Sequence, residues 1–313
     1  MKIISNTTQF HIDDKTAVAI GKFDGIHLGH IELINHILDY AKKNESRGVK
    51  TAVFTFDMSA ASFFGGKDIK EVTTLSEKRV IFENLGIDYL VEFPLNDNVA
   101  RTSPENFVID ILLGMMNMEY IAAGDDISFG YKGQGNSKLI LDMSSKYNFK
   151  VDIIDKIMYE GREISSTFLR EEIMNGNMEK VTDLLGHPYS FLGTVEKGFK
   201  LGRKLGFPTM NLYPDEEKIL PPFGVYFSKV KYDGASYPGI TNIGIRPTVA
   251  SPSDEHISVE TYIFDFDKDM YGKTIETELL SFRRNEKRFE DAMGLKKQVE
   301  SDIEEGKRYF CCL

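Results

Sequence analysis

Short apolar runs alternate with amphipathic stretches in the first half of the chain. The apolar runs lie at 16–20, 50–56, 88–93, 120–124 and 149–155. In the stretch after the first run, apolar residues recur at helical spacing: Ile31, Ile34, Leu38 and Ala41. Strands that alternate with helices predict a doubly wound, mostly parallel α/β sheet. Ligands of such sheets bind beyond the carboxyl ends of the strands, so the turn after 16–20 is a candidate site.

The pattern changes near residue 190. A last amphipathic segment predicts one helix over 166–186. It is followed by β-like runs separated by turns, at 191–198, 223–234, 235–244, 257–266 and 274–284. Runs at this spacing predict a small antiparallel β-barrel, and Leu295, Val299 and Ile303 lie on one side of a terminal amphipathic helix. We therefore expect two domains, 1–186 and 187–313, which also suits a chain of 313 residues.

Charge and cysteine content narrow the class of protein. The net charge of −10 predicts no general attraction to nucleic acid or to an anionic membrane. Any phosphate group that the protein binds must therefore be held by a local group of residues. The two cysteines, Cys311 and Cys312, are adjacent and are expected to remain unbridged thiols. An apolar signal core and a membrane-length apolar run are both missing from the sequence, which favours a cytoplasmic protein. A weak homo-oligomer is left open.

Residues 20–30, IGKFDGIHLGH, join a predicted strand to a predicted helix. Gly21, Gly25 and Gly29 let the backbone approach a ligand closely, and a helix N-terminus favours a polyphosphate. His27 and His30 are one helical turn apart and can donate to phosphate oxygens as charge grows in a transition state. The alternative is a pair of histidines that pack in the core or bind a metal.

The string Gly-Phe-Asp-Gly-x-His-x-Gly-His resembles the HxGH motif of nucleotidyltransferases. In this longer form it is similar to the adenylyltransferase half of the bacterial bifunctional riboflavin kinase/FAD synthetase family. The stretches ISSTFLR at 164–170, AAGDDISFGYKGQG at 122–135 and LLGHPY at 184–189 resemble the same family. This likeness implies catalytic roles for His27, His30 and Arg170. It implies ATP or phosphate contacts for Gly21, Phe23, Asp24, Gly29, Asp126, Ser165, Ser166 and Thr167. The serines and threonine are also typical of a helix N-cap.

One stretch differs from the family pattern. The family carries Thr-Phe-Asp/Glu-Pro-His-Pro near the flavin phosphate, whereas this chain reads TFDMSAASFF and retains Thr55, Phe56 and Asp57. The resemblance implies that Asp57 contacts flavin. The missing histidine leaves fewer cations there, so an alternative is that only one of two activities is efficient.

The run GTVEKGFKLGRKLGFPTMNL at 193–212 is rich in glycine, and two residues near its end have side chains with an oxygen atom. Thr209 and Asn211 offer the hard oxygen ligands that suit Mg²⁺. Glycines alone also fit an ordinary β-turn. The run resembles the GR-x-LGFPTxN segment of riboflavin kinases, which implies metal ligation by Thr209 and Asn211 and phosphate contacts for Gly198, Arg203 and Lys204.

Three later stretches resemble the same kinase: GITNIGIRPTV, ISVETYIFDF and FRRNEKRF. The likeness implies that Glu260 is the catalytic base and that Asn242, Arg246 and Arg284 bind flavin. A carboxylate near the ribityl hydroxyl group suits phosphoryl transfer. From spacing alone, Glu260 fits an outward, solvated side chain equally well.

The resemblance implies a bifunctional enzyme with small-molecule substrates. Riboflavin would be phosphorylated by ATP with Mg²⁺ to FMN, and FMN would then be adenylylated by ATP to FAD and pyrophosphate. A flavin-sensing binding protein is one alternative. Another HxGH adenylyltransferase, acting on pantetheine phosphate or nicotinate mononucleotide, would explain the first half only.

Overall fold

The computed structural model describes residues 1–58, 60–65, 69–198, 201–247 and 255–312. Contacts between Cα atoms divide the chain into two compact units, Met1–Ser166 and Thr167–Leu313. This division falls inside the Ser-Ser-Thr string, before the domain boundary expected at 186/187, which stays a prediction.

The first unit is built on a parallel sheet. Its strands are β1 Lys2–Ser5, β2 Thr16–Ile20, β3 Lys50–Phe56, β4 Tyr89–Phe93, β5 Met118–Gly124 and β6 Lys150–Ile154. They pair parallel throughout, in the order β1-β4-β3-β2-β5-β6. The chain runs from β2 to β3 and β4 on one side and later to β5 and β6 on the other. The turn after β2 therefore lies at the topological switch point of the sheet.

Helices cover both faces of this sheet. They are α1 Leu28–Lys43, α2 Ala60–Gly65, α3 Leu75–Asn84, α4 Asp97–Ala100, α5 Pro104–Asn106, a π-helix Phe107–Met115, and α6 Ser137–Tyr147. Ile34 of α1 and Phe82 of α3 are fully buried on one face, and Leu112 of the π-helix and Ile140 of α6 on the other. Every residue of β2 is buried, as expected of a strand covered on both faces. The predicted doubly wound sheet is confirmed.

A small hairpin, β7 Met158–Tyr159 and β8 Arg162–Glu163, leads to helices α7 Ser166–Met174 and α8 Met178–Leu185. The single helix predicted over 166–186 is wrong. Gly176 adopts a φ of 76° and its N–H bonds the carbonyl of Ile173, which ends α7. That left-handed conformation is accessible to glycine at little cost.

The second unit holds an antiparallel sheet with the order β10-β13-β12-β11-β14-β9. Its strands are β9 Tyr189–Thr194, β10 Met210–Leu212, β11 Gly224–Tyr232, β12 Ala235–Pro247, β13 Glu255–Ile263 and β14 Thr274–Asn285. Besides α8 and most of α7, its helices are α9 Leu201–Leu205 and α10 Ala292–Cys311. The described edges of β9 and β10 meet at an isolated bridge, where the Glu196 N–H donates to the Asn211 carbonyl at 2.9 Å. The sheet is thus a curled half-barrel, and α10 packs on it through Val299 and Ile303, which confirms the predicted barrel with its terminal helix.

Candidate active sites

The turn between β2 and α1 has an unusual backbone. Phe23, Gly25 and Ile26 have positive φ values of 49°, 95° and 43°. Left-handed geometry at two residues that are not glycine is costly, and such strain is concentrated at functional sites. The turn makes His27 the N-cap of α1. A Cβ at Gly29 would lie 3.1 Å from His27 Nδ1, so a glycine here gives the imidazole room.

The two predicted histidines lie against each other. The rings of His27 and His30 stack with centroids 3.8 Å apart and planes 20° apart. Phe23 lies against His30, with ring centroids 5.1 Å apart, and makes an edge contact with Phe82. The Phe23 ring is fully buried, so its side chain supports His30 and only its backbone is left for an ATP contact.

Both imidazoles are neutral at pH 7. Burial lowers the pKa of His27 to about 4, although the carboxylates of Asp24, Glu163 and Asp126 act in the opposite direction. Burial also lowers the pKa of His30 well below its usual range, and the positive charges of Lys78 and of His27, when that ring is protonated, add to this. The Nδ1 atoms of both rings are buried and lack a hydrogen-bond partner in the described part of the chain. A neutral imidazole still has one N–H to donate.

Asp24 organises the segment that leads into α3. Its Oδ1 accepts from the amides of Val72 and Thr73 at 2.7 and 3.3 Å. Its carbonyl accepts from the hydroxyl of Ser166 at 2.8 Å, which ties the Ser-Ser-Thr string to the histidine turn. The predicted contact of Asp24 with ATP stays a prediction; in the structure its Oδ1 accepts hydrogen bonds from protein amides.

A buried ion pair near this turn was not predicted from sequence. Lys78 of α3 is 2% exposed and its Nζ lies 3.1 Å from Glu71 Oε2. Its charge reaches His30, as the pKa of that imidazole indicates. The sequence offers no signal for it, since a lysine in an amphipathic helix normally lies on the solvated face.

The other predicted contacts of the first unit lie at the carboxyl edge of the sheet. Asp126 follows β5 and pairs with Lys156 at 3.2 Å, and Lys156 also binds Glu163 at 2.8 Å. Asp57 follows β3, and its Oδ1 accepts from the Leu95 amide at 2.9 Å. The structure thus brings Gly21, Asp24, Gly29, His27, His30 and Ser166 together.

Ser165 is half-buried just before α7. Thr167 and Arg170 lie on α7 in the second unit, where Thr167 is exposed and Arg170 half-buried. The serine and threonine cluster thus opens a helix, as the N-cap alternative also requires.

The second unit contains a cavity of about 510 Å³. Seven predicted residues line it: Gly198, Arg203, Thr209, Asn211, Asn242, Glu260 and Arg284. Its walls include apolar side chains such as Val225, Ile240 and Leu295. A mostly apolar cavity with a few convergent polar groups is typical of small-molecule sites. The side chains of Lys204 and Arg246 lie outside the described residues.

Glu260 stands at the centre of a row of polar side chains. Across the sheet it pairs with Asn211 of β10 on one side and Asn242 of β12 on the other. Directly paired residues share a face, so all three side chains point to the cavity. The hydroxyls of Thr209 and Ser258 lie 3.5 and 3.4 Å from its carboxylate oxygens. Glu260 is half-buried and faces the cavity rather than open solvent.

Asn211 has an unsatisfied oxygen. The residue is 3% exposed, and its Oδ1 is buried without a partner among the described residues. A buried acceptor without a donor is costly, and such groups are rare. Glu260 is its neighbour across the strands, and Thr209, two residues before Asn211, has its hydroxyl 3.5 Å from the Glu260 carboxylate. This all-oxygen set fits Mg²⁺. The described residues hold no cluster of three or more histidine, cysteine, aspartate or glutamate side chains suited to a metal.

Glu286 is a cavity residue that was quoted in a motif but not assigned a role. Its Oε1 accepts from Asn242 Nδ2 at 3.4 Å. A Cβ at Gly244 would collide with this carboxylate, so the glycine makes room for it.

A second cavity of about 330 Å³ shares Arg203 and Thr209 with the first.

Two family models match the chain. One, described as FAD synthetase, matches residues 9–168, and the other, described as riboflavin kinase, matches residues 185–310. A relative from Bacillus subtilis (strain 168) is 34% identical over 317 residues, which cover 99% of this chain and 98% of the relative. One from Buchnera aphidicola subsp. Schizaphis graminum is 36% identical over 96% of this chain and 95% of its own. Both are named bifunctional riboflavin kinase/FMN adenylyltransferase.

A crystal structure of a Streptococcus pneumoniae protein, named macrolide-efflux protein, has a similar fold. It aligns with a TM-score of 0.80 and 27% identity over 96% of both chains. Across the described ranges of the present chain, every helix is too short or too polar to span a membrane.

Proposed function

The chain belongs to the bifunctional riboflavin kinase/FMN adenylyltransferase family, and from that premise we propose which residues perform each reaction. The enzyme phosphorylates riboflavin with ATP to FMN and adenylylates FMN with a second ATP to FAD. We assign the first reaction to the half-barrel and the second to the turn between β2 and α1.

Glu260 is the general base of the kinase. It accepts the proton of the primary hydroxyl group of riboflavin while that oxygen attacks the γ-phosphorus of ATP, and ADP leaves. The observation that carries this assignment is the row of Asn211, Glu260 and Asn242 facing one cavity. The hydroxyls of Thr209 and Ser258 hold the carboxylate in place. Gly198, Arg203 and Lys204 bind phosphate, and Asn242, Arg246 and Arg284 bind flavin.

Thr209 and Asn211 hold Mg²⁺ in this proposal. The orphaned Oδ1 of Asn211 supports it, because a cation would satisfy the buried oxygen. When bound by Thr209 and Asn211, the ion would neutralise charge on the phosphates of ATP.

His27 and His30 act as neutral hydrogen-bond donors in adenylyl transfer. An oxygen of the FMN phosphate attacks the α-phosphorus of ATP, and pyrophosphate leaves. Fixed donors stabilise the charge that grows on the phosphate oxygens. Their stacking at the start of α1, and the low pKa of each, support this role. Ser165, Ser166, Thr167 and Arg170 bind the triphosphate, with backbone contacts from Gly21, Phe23 and Gly29, while Asp57 contacts flavin. Asp126 contacts the nucleotide once its ion pair with Lys156 has opened.

The partners proposed are small molecules alone. The net charge of −10 supports the exclusion of nucleic acid and anionic membrane surfaces as partners. The two exposed free thiols of Cys311 and Cys312 are compatible with a reducing, cytoplasmic location.

Product analysis tests the assignment of both activities. The protein is incubated with ATP and Mg²⁺ plus either riboflavin or FMN, and the flavins are separated. We expect FAD from both substrates. If riboflavin yields FMN and no FAD, the chain has only the kinase activity. If FAD forms when FMN is supplied but riboflavin is not converted, it has only the adenylyltransferase activity. No product from either substrate would overturn the function.

A further inference from the structure

Arg284 of β14 lines the 510 Å³ cavity and is held from the terminal helix. Its Nε lies 3.1 Å from both carboxylate oxygens of Asp302, and its Nη2 lies 2.6 Å from Oδ2. Asp302 belongs to α10 and is 1% exposed. Gln298, one turn earlier, donates to Asp302 Oδ1 at 3.1 Å. The carboxylate is therefore buried, bidentate and itself fixed by a neighbour.

This geometry limits what Arg284 can offer a ligand. Its Nη1 donates to the carbonyl of Asn285 at 3.1 Å, so every nitrogen of the guanidinium group already has a protein acceptor. Its charge is balanced by Asp302 at close range. What remains for the cavity is the flat face of the group and one N–H each on Nη1 and Nη2. A guanidinium plane stacks well on an aromatic ring, and a lysine in its place offers no such face.

We propose that Asp302 is a positioning residue that turns Arg284 into a flat stacking surface for the flavin ring. The inference rests on the riboflavin kinase activity proposed for this cavity. The isoalloxazine ring is planar and uncharged, so a neutralised guanidinium plane suits it better than a free cation does. Leu295 and Val299, on the same helix as Asp302, line the cavity beside it.

The test separates the effect of the positive charge of Arg284 on riboflavin binding from the effect of its planar shape. Arg284→Lys retains the positive charge and loses the plane, whereas Asp302→Asn retains the plane and releases it from its ion pair. We expect each variant to raise the KM for riboflavin roughly tenfold, the size of a desolvated stacking contact, with the KM for ATP within twofold of the wild type. Quenching of riboflavin fluorescence on binding gives the dissociation constant without turnover.

A matched control comes from the neighbouring residue pair. Arg283 of β14 and Glu305 of α10 also join the strand to the helix, but neither lines the cavity. Glu305→Gln removes this bridge and should leave the KM for riboflavin unchanged. Circular dichroism and the melting temperature of the same variants report whether the half-barrel is folded.

Two results would overturn the proposal. Wild-type riboflavin binding in Arg284→Lys would mean that charge, not the plane, is used. Unchanged binding in Asp302→Asn, with only a lower melting temperature, would make the pair purely structural. If Asp302→Asn does not fold, Arg284→Met/Asp302→Leu replaces the buried pair by apolar groups, a change that proteins often tolerate. Tight riboflavin binding by that variant would also refute the proposal. A wild-type protein without kinase activity would refute the function instead.

Discussion

The two candidate sites of this chain differ in how their charged and polar side chains are paired. At the turn of the first unit, the histidines are neutral, and the carboxylates of Asp24, Glu163 and Asp126 act to raise the pKa of His27 without overcoming its burial. In the half-barrel, Arg284 is paired in advance with Asp302, while the amide oxygen of Asn211 is left without a partner. In the proposed functions, the first site binds the polyphosphate of ATP, whereas the second binds a neutral flavin ring and a cation.

The sharpest separation of the two sites comes from Glu260→Gln. Loss of a general base costs roughly 10²- to 10⁴-fold, so we expect riboflavin kinase kcat to fall about a thousandfold. The rate of FMN adenylylation should be unchanged, and the fluorescence of riboflavin should still be quenched when it binds. The measurement is steady-state rate with riboflavin and with FMN as separate substrates. Kinase turnover near the wild-type rate would mean that this carboxylate is not the base.

The reverse separation comes from His27→Ala and His30→Ala. Each removes a hydrogen-bond donor to a growing negative charge, which typically costs 10²- to 10³-fold, so we expect FAD formation from FMN to slow about a hundredfold. Kinase activity of the same proteins is the internal control and should remain. Because the rings are stacked, the double variant should lose less than the product of the two single effects. Normal FAD formation in both single variants would contradict the assignment.

The neutrality of His27 also predicts how stability changes with pH. The unfolded chain binds a proton near pH 6.5 and the folded chain only near pH 4, so the unfolded state holds more protons between these values. The free energy of unfolding therefore falls as the pH falls from 6.5 towards 4. At pH 5 the loss due to His27 is about 2 kcal/mol.

In His27→Asn this contribution disappears, so the curve of unfolding free energy against pH should be flatter over that range. Urea unfolding followed by circular dichroism measures it. His11→Asn, which removes an exposed histidine, is the matched control. Equal slopes for His27→Asn and wild type would show that the His27 ring has the same pKa in the folded and unfolded chains, which would contradict its neutrality at pH 5.

A smaller effect is expected at the amide oxygen of the half-barrel. Asn211→Ala removes the orphaned acceptor, so the Mg²⁺ concentration for half-maximal kinase rate should rise roughly tenfold, the lower end for altered metal sites. The KM for riboflavin should change little. Titration of Mg²⁺ at fixed ATP measures the shift, and an unchanged requirement would exclude Asn211 as a ligand.

Local patterns predicted much of this molecule because they are set by short-range physics. The glycine turn after β2 and the alternation of the half-barrel strands both follow from residues close together in sequence. The break at Gly176 did not, because an isolated glycine in an amphipathic pattern is often tolerated inside a helix. β1 was missed for a similar reason: its four residues are mostly exposed or half-buried and give no apolar run.

The sites show the same limit. The direction of Glu260 depends on pairing with both Asn211 and Asn242, which spacing along one strand cannot reveal. Asp302 lies among several acidic residues of α10, and only its burial against Arg284 distinguishes it. Lys78 is likewise an ordinary lysine in sequence and a buried one in the fold. Such contacts arise between distant segments, where no periodicity applies.

The isolated bridge between Glu196 and Asn211 has a consequence for motion. A junction held by few hydrogen bonds opens locally at lower free energy than the rest of a sheet. The Glu196 amide should therefore exchange its proton with solvent faster than the amides inside β11 and β12. A cation bound at Asn211 would slow that exchange by holding one side of the junction. If Asn211 holds the metal as proposed, opening of this junction and release of the metal are thermodynamically coupled, so a change in one should change the other.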